Sequence, residues 1–154
     1  MYKNLSFESA CEILSNIECI NQGGCGIATL AMLRFCKKFS KTPENFKVAT
    51  LYPLHNDGLN SFETNMNFVL NKSKEAVGCY HIAFMIGSTI IDVKGPVDMI
   101  WYNKILIIPK DKEEQYLVTA LNNYGWNPMF NREFSIPFIE KHLQISLSDI
   151  KISI

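Results

Sequence analysis

The segment at residues 20–39 constrains this chain more than any other part of it. It reads I-N-Q-G-G-C-G-I-A-T-L-A-M-L-R-F-C-K-K-F. From Cys25 to Phe39 the residues favour a helix, since the run contains no proline and only Gly26 as an internal breaker. Apolar side chains would lie on nearly every side of that helix, a pattern typical of a helix buried at the centre of a domain. The segment therefore predicts a central helix, packed on all sides by the rest of the chain.

The start of this helix carries a cysteine that follows two glycines. Gly23 and Gly24 allow a sharp turn of the backbone just before Cys25. In the first turn of a helix, free N–H groups and the positive end of the dipole favour an anion such as a thiolate, or the oxyanion formed when a thiolate attacks a carbonyl. Cys25 is therefore a candidate nucleophile, with Asn21, Gln22 and Gly24 as candidate oxyanion or substrate-binding residues. The alternative is a small buried thiol without a chemical role.

A second segment, residues 76–95, brings a histidine and an aspartate into one hairpin. It reads A-V-G-C-Y-H-I-A-F-M-I-G-S-T-I-I-D-V-K-G, and two β-prone runs meet at Gly87 and Ser88, a signal of a tight turn. If these two residues form the loop, the alternation of side chains places His81 and Asp92 on the same face. They are then diagonal neighbours, about 7–8 Å apart, a separation that their side chains can bridge.

Such a pair is the second half of a catalytic triad. A carboxylate beside a histidine fixes the tautomer of the imidazole and stabilises its charged form. We therefore expect Cys25 as nucleophile, His81 as general base and acid, and Asp92 as the orienting group. The structural alternative is a strand histidine satisfied by a strand-end aspartate. His55, in a loop, is a rival base, whereas Cys79 is expected to be structural.

The order of these residues resembles the papain-like cysteine peptidase superfamily in its compact form, which includes transglutaminase-core and arylamine N-acetyltransferase relatives. The run N-Q-G-G-C-G is similar to the nucleophile loop of small peptidase-like proteins often carried by bacteriophages. The resemblance spans residues 20–95 and implies a papain-like fold, with the roles given above for Cys25, His81 and Asp92. The position of papain's oxyanion glutamine, six residues before the nucleophile, holds Cys19 here. The C-G-S-C-W signature and the long second lobe of papain are absent, so no substrate pocket is implied.

Composition narrows the class of protein. A chain of 154 residues with 47% hydrophobic residues predicts one globular domain, residues 1–154. Fifteen basic and fifteen acidic residues give no net charge, so nucleic acid is not an expected partner. The first residues lack the order of a signal peptide and no apolar run has the length of a membrane span, so no membrane association is expected. Five cysteines without framework or zinc spacing predict reduced thiols in the cytoplasm, no metal and no cofactor.

The remaining residues predict an α+β domain, in which helices pack on one side of a small antiparallel sheet. The aromatic loop at residues 124–131 contains Trp126 and Phe130, which are candidates to line a groove, although aromatic residues in such a loop more often pack it against the domain. A C-terminal helix is expected to begin at Ser135, with Pro137 in its first turn. The other expected elements are helices at residues 6–17, 60–72 and 111–123, strands at residues 46–52 and 104–108, and an edge strand at residues 145–154.

Together these features predict a cysteine-dependent amide hydrolase, most simply a protease or peptidase. It would act on a peptide or protein substrate through a thioester acyl-enzyme. Two other functions stay open at this point. The same triad can perform acyl transfer of the transglutaminase, deamidase or N-acetyltransferase type. A non-catalytic binding module that keeps the fold is the third reading, and an unreactive Cys25 would favour it.

Overall fold

The computed structural model describes residues 5–53, 56–123 and 129–152. In these ranges the chain forms an α+β domain of five α-helices and five strands, with short 3-10 turns at Pro43–Asn45, Met99–Trp101 and Lys110–Lys112. None of these helices combines the length and apolar character needed to cross a bilayer. The helices are α1 Phe7–Ser15, α2 Cys25–Phe39, α3 Asn56–Val69, α4 Glu113–Asn123 and α5 Arg132–Leu143; the strands are β1 Phe46–Tyr52, β2 His81–Ile86, β3 Thr89–Asp92, β4 Gly95–Pro96 and β5 Lys104–Ile107.

The strands form one antiparallel sheet in the order β4-β3-β2-β1-β5. The β2–β3 hairpin has the predicted register, with Phe84 opposite Ile91 and Ile86 opposite Thr89. Gly87 occupies the turn with a φ of +62°, a conformation that glycine adopts without strain. The hairpin prediction is therefore confirmed, and with it the placement of the ends of β2 and β3 side by side.

The helices pack on one face of the sheet. That face carries alternate residues of β1, such as Val48 and Tyr52, with Phe84 of β2 opposite Val48. From α1, the ring of Phe7 meets Phe84 edge-on at 5.9 Å between centroids, and from α3 the ring of Phe62 meets Tyr52 in the same way at 5.4 Å. The predicted layering, helices against a small antiparallel sheet, is therefore confirmed.

Helix α2 lies at the centre of this layer and has the bounds that the sequence predicts. Ten of its residues are buried, from Gly26 to Cys36. Its first turn is tied to the sheet because the Thr29 hydroxyl lies 2.8 Å from the Cys25 carbonyl oxygen and 3.4 Å from that of Ile82. The start of the helix is thus held against the start of β2, which fixes the position of Cys25.

A cluster of buried polar side chains joins β1, α3 and α4. The Asn65 amide donates hydrogen bonds to the hydroxyls of Tyr52 (2.7 Å) and Tyr116 (3.1 Å), and its carbonyl accepts one from the Val77 backbone N–H (3.0 Å). Tyr116 in turn donates to the Val77 carbonyl oxygen at 3.1 Å. Because Asn65 is fully buried, no water replaces these contacts when its amide is removed.

Replacing Asn65 with alanine is therefore expected to lower the free energy of unfolding by about 2–4 kcal/mol, since buried donors and acceptors lose their partners. Asn67 is exposed on the same helix and provides the matched control. Asn67→Ala should change stability by less than about 0.5 kcal/mol. Urea unfolding measures both values, and equal effects of the two substitutions would contradict the assigned role of the cluster.

Several predicted elements differ from the structure at their ends. Helix α3 begins at Asn56 and not at residue 60, so the loop after β1 is shorter than expected. Helix α5 begins after Asn131, whose side chain accepts from the Phe134 N–H at 3.0 Å, and Pro137 lies inside the helix and not in its first turn. An asparagine whose side chain accepts a hydrogen bond from the N–H three residues later is as good a cap as Ser135, which the sequence suggested.

The predicted C-terminal edge strand is wrong for the described residues 145–152. This segment forms turns and bends without strand pairing. Leu147 and Ile150 are both buried, and the Ile150 N–H donates to the Leu147 carbonyl oxygen at 3.0 Å. Their spacing of three residues fits a turn that directs both side chains to the core, so the alternation of apolar residues that suggested a strand here does not reflect strand pairing.

Trp126, the other aromatic residue predicted for the loop at residues 124–131, lies outside the described residues.

Candidate active site

His81 and Asp92 form a direct contact at the adjacent ends of β2 and β3. The His81 Nε2 atom lies 2.9 Å from Asp92 Oδ2, and the two side chains are only 10% and 14% exposed. The other carboxylate oxygen, Oδ1, accepts a hydrogen bond from the Lys94 backbone N–H at 2.8 Å. The structure therefore brings together the two residues that the hairpin register places side by side. Because His81 Nε2 is hydrogen-bonded to Asp92, Nδ1 is the ring nitrogen that can exchange a proton with Cys25 or a substrate.

The electrostatics of the pair favour a charged imidazole. Burial works to lower the pKa of His81, but the hydrogen bond to Asp92, followed by the hydrogen bond and charge of Cys25, raises it to about 9. Burial likewise works to raise the pKa of Asp92, and the hydrogen bonds from His81 and from the Lys94 N–H lower it below its ordinary value. An imidazolium–carboxylate pair is thus favoured at neutral pH, with Cys25 on its other side.

Cys25 is the first residue of α2 and is partly exposed. The N-cap, Gly24, has no side chain to accept a hydrogen bond from the first turn, so the helix itself leaves the N–H groups of that turn unpaired. Gly24 is also required by packing, because a Cβ atom there would lie 2.6 Å from the Ile20 carbonyl oxygen and 2.7 Å from the ring of Phe130. Phe130 is buried and packs under this loop, so it does not line a groove.

The two polar residues of the loop have different surroundings. Gln22 is exposed and faces the same cavity as His81 and Asp92. Asn21 contributes a side-chain hydrogen bond to Asp92, so its amide supports the carboxylate. The Asn21 Oδ1 atom is buried and has no hydrogen-bond partner among the residues that the structure describes. Of the two candidate side-chain donors, Gln22 is the one whose amide the structure leaves open to a ligand.

Aromatic residues around His81 were not recognised as part of the site from the sequence. The ring of Tyr102 stacks over His81 with 6.4 Å between centroids and 17° between planes, and Tyr80 meets Tyr102 edge-on. Trp101 is largely exposed beside them. The available signal was the run M-I-W-Y-N, which follows the hairpin and returns the chain to the sheet. The Tyr102 ring covers the imidazole, and Tyr80 and Trp101 shape the surface next to it.

The remaining histidines and three other cysteines are not part of the His81–Asp92 pair or lie outside the described residues. His55 falls outside the described residues. His142 is exposed on α5, where its Nδ1 atom lies 2.9 Å from the Phe138 carbonyl oxygen. The Cys79 thiol donates to the His81 carbonyl oxygen at 3.0 Å, and burial raises its pKa far above the usual range. Burial also raises the pKa of Cys11 to about 12 and that of Cys36 to about 11, so all three thiols stay neutral.

Two cavities lie next to this site, and Cys25 lines one of them. The larger, about 610 Å³, is lined by His81, Asp92 and the aromatic rings around them. The smaller, about 230 Å³, lies against Cys25 and the first turn of α2. Within the described ranges, no three histidine, cysteine, aspartate or glutamate side chains are grouped as metal ligands.

The His81–Asp92 pair should make stability depend on pH. Folding raises the pKa of His81 from 6.5 to about 9, so its contribution is complete below pH 6.5 and is lost as the pH rises through about 9. The shift corresponds to at most about 3 kcal/mol. The pKa of Asp92 is lowered, so its contribution is present above pH 3.8 and is lost at lower pH. We therefore expect the free energy of unfolding to fall as the pH rises from 6.5 to about 9.

Urea unfolding of wild type, Asp92→Asn and Asp98→Asn at a series of pH values tests this dependence. Asp98 is an exposed carboxylate that faces the same cavity and serves as the matched control. The Asp92→Asn protein should lose most of the alkaline decline, whereas the Asp98→Asn protein should keep it. The same slope in all three proteins would show that the pair does not set the pH dependence.

No family model, no curated protein and no solved structure matches this chain. The site is therefore interpreted from its own residues and their geometry.

Proposed function

We propose that this protein is a cysteine-dependent amide hydrolase, of the peptidase type, with Cys25, His81 and Asp92 as its triad. The observation that carries the proposal is the His81–Asp92 contact of 2.9 Å beside a cysteine that begins a helix without a side-chain cap. Cys25 contributes a side-chain hydrogen bond that, after the one to Asp92, raises the pKa of His81, so the thiol is within reach of the imidazole. A papain-like origin of this arrangement is part of the proposal.

The reaction follows from the positions of these groups. The Cys25 thiolate adds to the substrate carbonyl carbon, and the oxyanion accepts hydrogen bonds from the Cys25 backbone N–H and the Gln22 amide. His81 transfers the Nδ1 proton to the leaving nitrogen, the C–N bond breaks, and a thioester remains on Cys25. Neutral His81 then takes a proton from water, the hydroxide attacks the thioester, and collapse of the second intermediate releases the acid and the thiolate.

Asp92 and Asn21 act through His81 in this scheme. Asp92 holds the ring so that Nδ1 is directed to the cysteine, and it stabilises the imidazolium. Asn21, through its hydrogen bond to Asp92, holds the carboxylate in turn and is a positioning residue. The rings of Tyr80 and Tyr102 limit access of water to the pair, which strengthens its electrostatic interaction.

Trapping of the thioester tests the proposal without knowledge of the natural substrate. The protein is mixed with p-nitrophenyl acetate, quenched in acid and mapped by mass spectrometry. We expect an acetyl group on Cys25 that neutral hydroxylamine removes, and no such group in Cys25→Ala. Cys19→Ala, which removes a partly exposed thiol near the site, is the matched control and should still acylate at Cys25. Acetylation that is no greater on Cys25 than on Cys19 would contradict the proposal.

Acyl transfer is a second candidate function, favoured by the size of the cavity on the His81 side. About 610 Å³ lined by Tyr80, Trp101 and Tyr102 has room for an amine larger than water. An amine bound there would replace water in the second half of the reaction. If glycine ethyl ester, added during turnover, yields an amide faster than water yields the acid, the protein is an acyltransferase. If only the acid forms, hydrolysis is the reaction.

A further inference from the structure

The two cavities beside Cys25 contact different members of the triad. Cys25 lines the smaller cavity, whereas His81 and Asp92 line the larger one. Asn21, Gly23 and Tyr80 line both, so the two cavities are neighbours at the start of α2. A substrate whose carbonyl carbon lies at the sulfur of Cys25 can therefore extend one substituent toward each cavity.

The chemistry decides which substituent enters which cavity. The leaving nitrogen must receive the Nδ1 proton of His81, so the leaving group lies on the His81 side, in the larger cavity. The acyl substituent, on the opposite side of the carbonyl carbon, is then directed into the smaller cavity. This assignment depends on the proposed function, since it requires attack by Cys25 and proton transfer by His81.

The smaller cavity has the size and lining of a pocket for one aliphatic side chain. Its volume of about 230 Å³ is below the range of about 300–1,000 Å³ found for complete small-molecule sites. Ile82 and Leu121 supply its branched walls, and Gly26, Gly78 and Ala120 leave the space between them. The Cys79 thiol also faces it and is kept neutral by burial. A carboxylate side chain would lose its hydration there without gaining an opposite charge, since no lysine, arginine or histidine is among the described residues that line it.

Gly26 keeps this pocket open. A Cβ atom at this position would lie 2.7 Å from Leu121 Cδ2 and 3.2 Å from Ile82 Cδ1, which are the two walls. A methyl group would therefore occupy space between the walls and push the Leu121 side chain aside. Gly26 is buried within α2, where glycine costs about 1 kcal/mol relative to alanine, so its presence calls for a packing or binding reason.

We propose that the 230 Å³ cavity is the specificity pocket of the enzyme and that it binds the side chain of the residue whose carbonyl Cys25 attacks. The preferred residue has an aliphatic side chain such as that of valine or leucine. Glycine leaves the pocket empty, and the carboxylate of an aspartate would lose its hydration in it.

A series of vinyl sulfones tests the pocket; in each, the vinyl sulfone replaces the carbonyl of an N-acetylated residue with a glycine, alanine, valine, leucine or aspartate side chain. The Cys25 thiolate adds to the vinyl carbon β to the sulfone, which is bonded to the Cα atom of the residue. The carbon next to the sulfone takes a proton, and mass spectrometry follows the adduct. In wild type we expect the valine or leucine probe to react at least about tenfold faster than the glycine probe, since each methylene in a fitted pocket is worth about tenfold or more. The aspartate probe should be no faster than the glycine probe.

Two variants, one on α2 and one on α4, each add bulk to the lining of the pocket. In Gly26→Ala and in Ala120→Val, the ratio of the leucine rate to the glycine rate should fall by at least about tenfold. Each rate is divided by that of iodoacetamide, which has no side chain, to remove changes in the thiolate itself. The exposed Asn67→Ala variant is the control and should keep the wild-type ratio. The wild-type series decides the question even where a variant fails to fold.

The outcomes separate this inference from the proposed function. Fast iodoacetamide labelling of Cys25 with equal rates along the side-chain series overturns the pocket and leaves the proposed function standing. Variants that slow all probes equally overturn it as well. If iodoacetamide labels Cys25 no faster than Cys19, the proposed function fails and the pocket assignment fails with it.

Discussion

Replacement of Cys25 with alanine is expected to lower kcat on any acyl substrate of this protein by a factor of about 10⁴ or more, because the atom that forms the thioester is removed. Helix α2 and its packing should remain, since alanine is the better helix former and Cys25 is only partly buried. The measurement is the rate of product formation under saturating substrate, with circular dichroism to confirm the fold. Cys19→Ala is the control and should keep its activity within about twofold.

A Cys25→Ala protein that still turns over the substrate would remove the central role of this residue. The result would also exclude the acyl-transfer candidate, which uses the same nucleophile. It would leave a different catalytic site elsewhere in the chain. The experiment is therefore decisive for the class of protein and not only for one residue.

Replacement of His81 with alanine should have an effect of similar size, a loss of about 10⁴-fold in kcat, because both proton transfers depend on the imidazole. His81 is almost fully buried against Asp92, so the variant leaves a polar space beside the cysteine. Added imidazole is expected to enter that space and restore part of the activity. His142→Ala removes an exposed histidine of α5 and is the matched control, with activity like wild type.

Rescue separates a chemical role from a structural one. Imidazole should rescue His81→Ala and have no effect on Cys25→Ala, since only the first variant lacks a proton carrier. A His81→Ala protein with wild-type activity would contradict the proposed mechanism. A folded, inactive protein in which Cys25 is acylated as fast as in wild type would show that His81 does not activate the thiol.

The elements that the sequence predicts well are those set by local pattern. Helix Cys25–Phe39 and strand Phe46–Tyr52 agree with the prediction at both ends. The first has an apolar surface on all sides that only a central helix can bury. The β2–β3 register followed from the tight turn at Gly87, and this register is why the contact between His81 and Asp92 could be expected before the structure was known.

The features that could not be predicted depend on packing between distant parts of the chain. The position of β1 between β2 and β5 pairs residues that are 30 to 58 positions apart in the sequence, and no local pattern specifies it. The small cavity exists because α4 brings Leu121 toward Gly26, two residues that are remote in sequence. The bond from Asn21 to Asp92 has the same origin, so the sequence named Asn21 as an oxyanion candidate and missed its place behind the carboxylate.

The most direct test of the account is the rate at which iodoacetamide alkylates each of the five cysteines, mapped by mass spectrometry from pH 4 to 9 in wild type and in His81→Ala. The account predicts that Cys25 reacts first by a wide margin, already at acidic pH, and that its rate at pH 6 falls by about tenfold or more without His81. If Cys25 reacts no faster than Cys19, or equally fast in both proteins, the thiolate–imidazolium pair does not exist and the catalytic account is wrong.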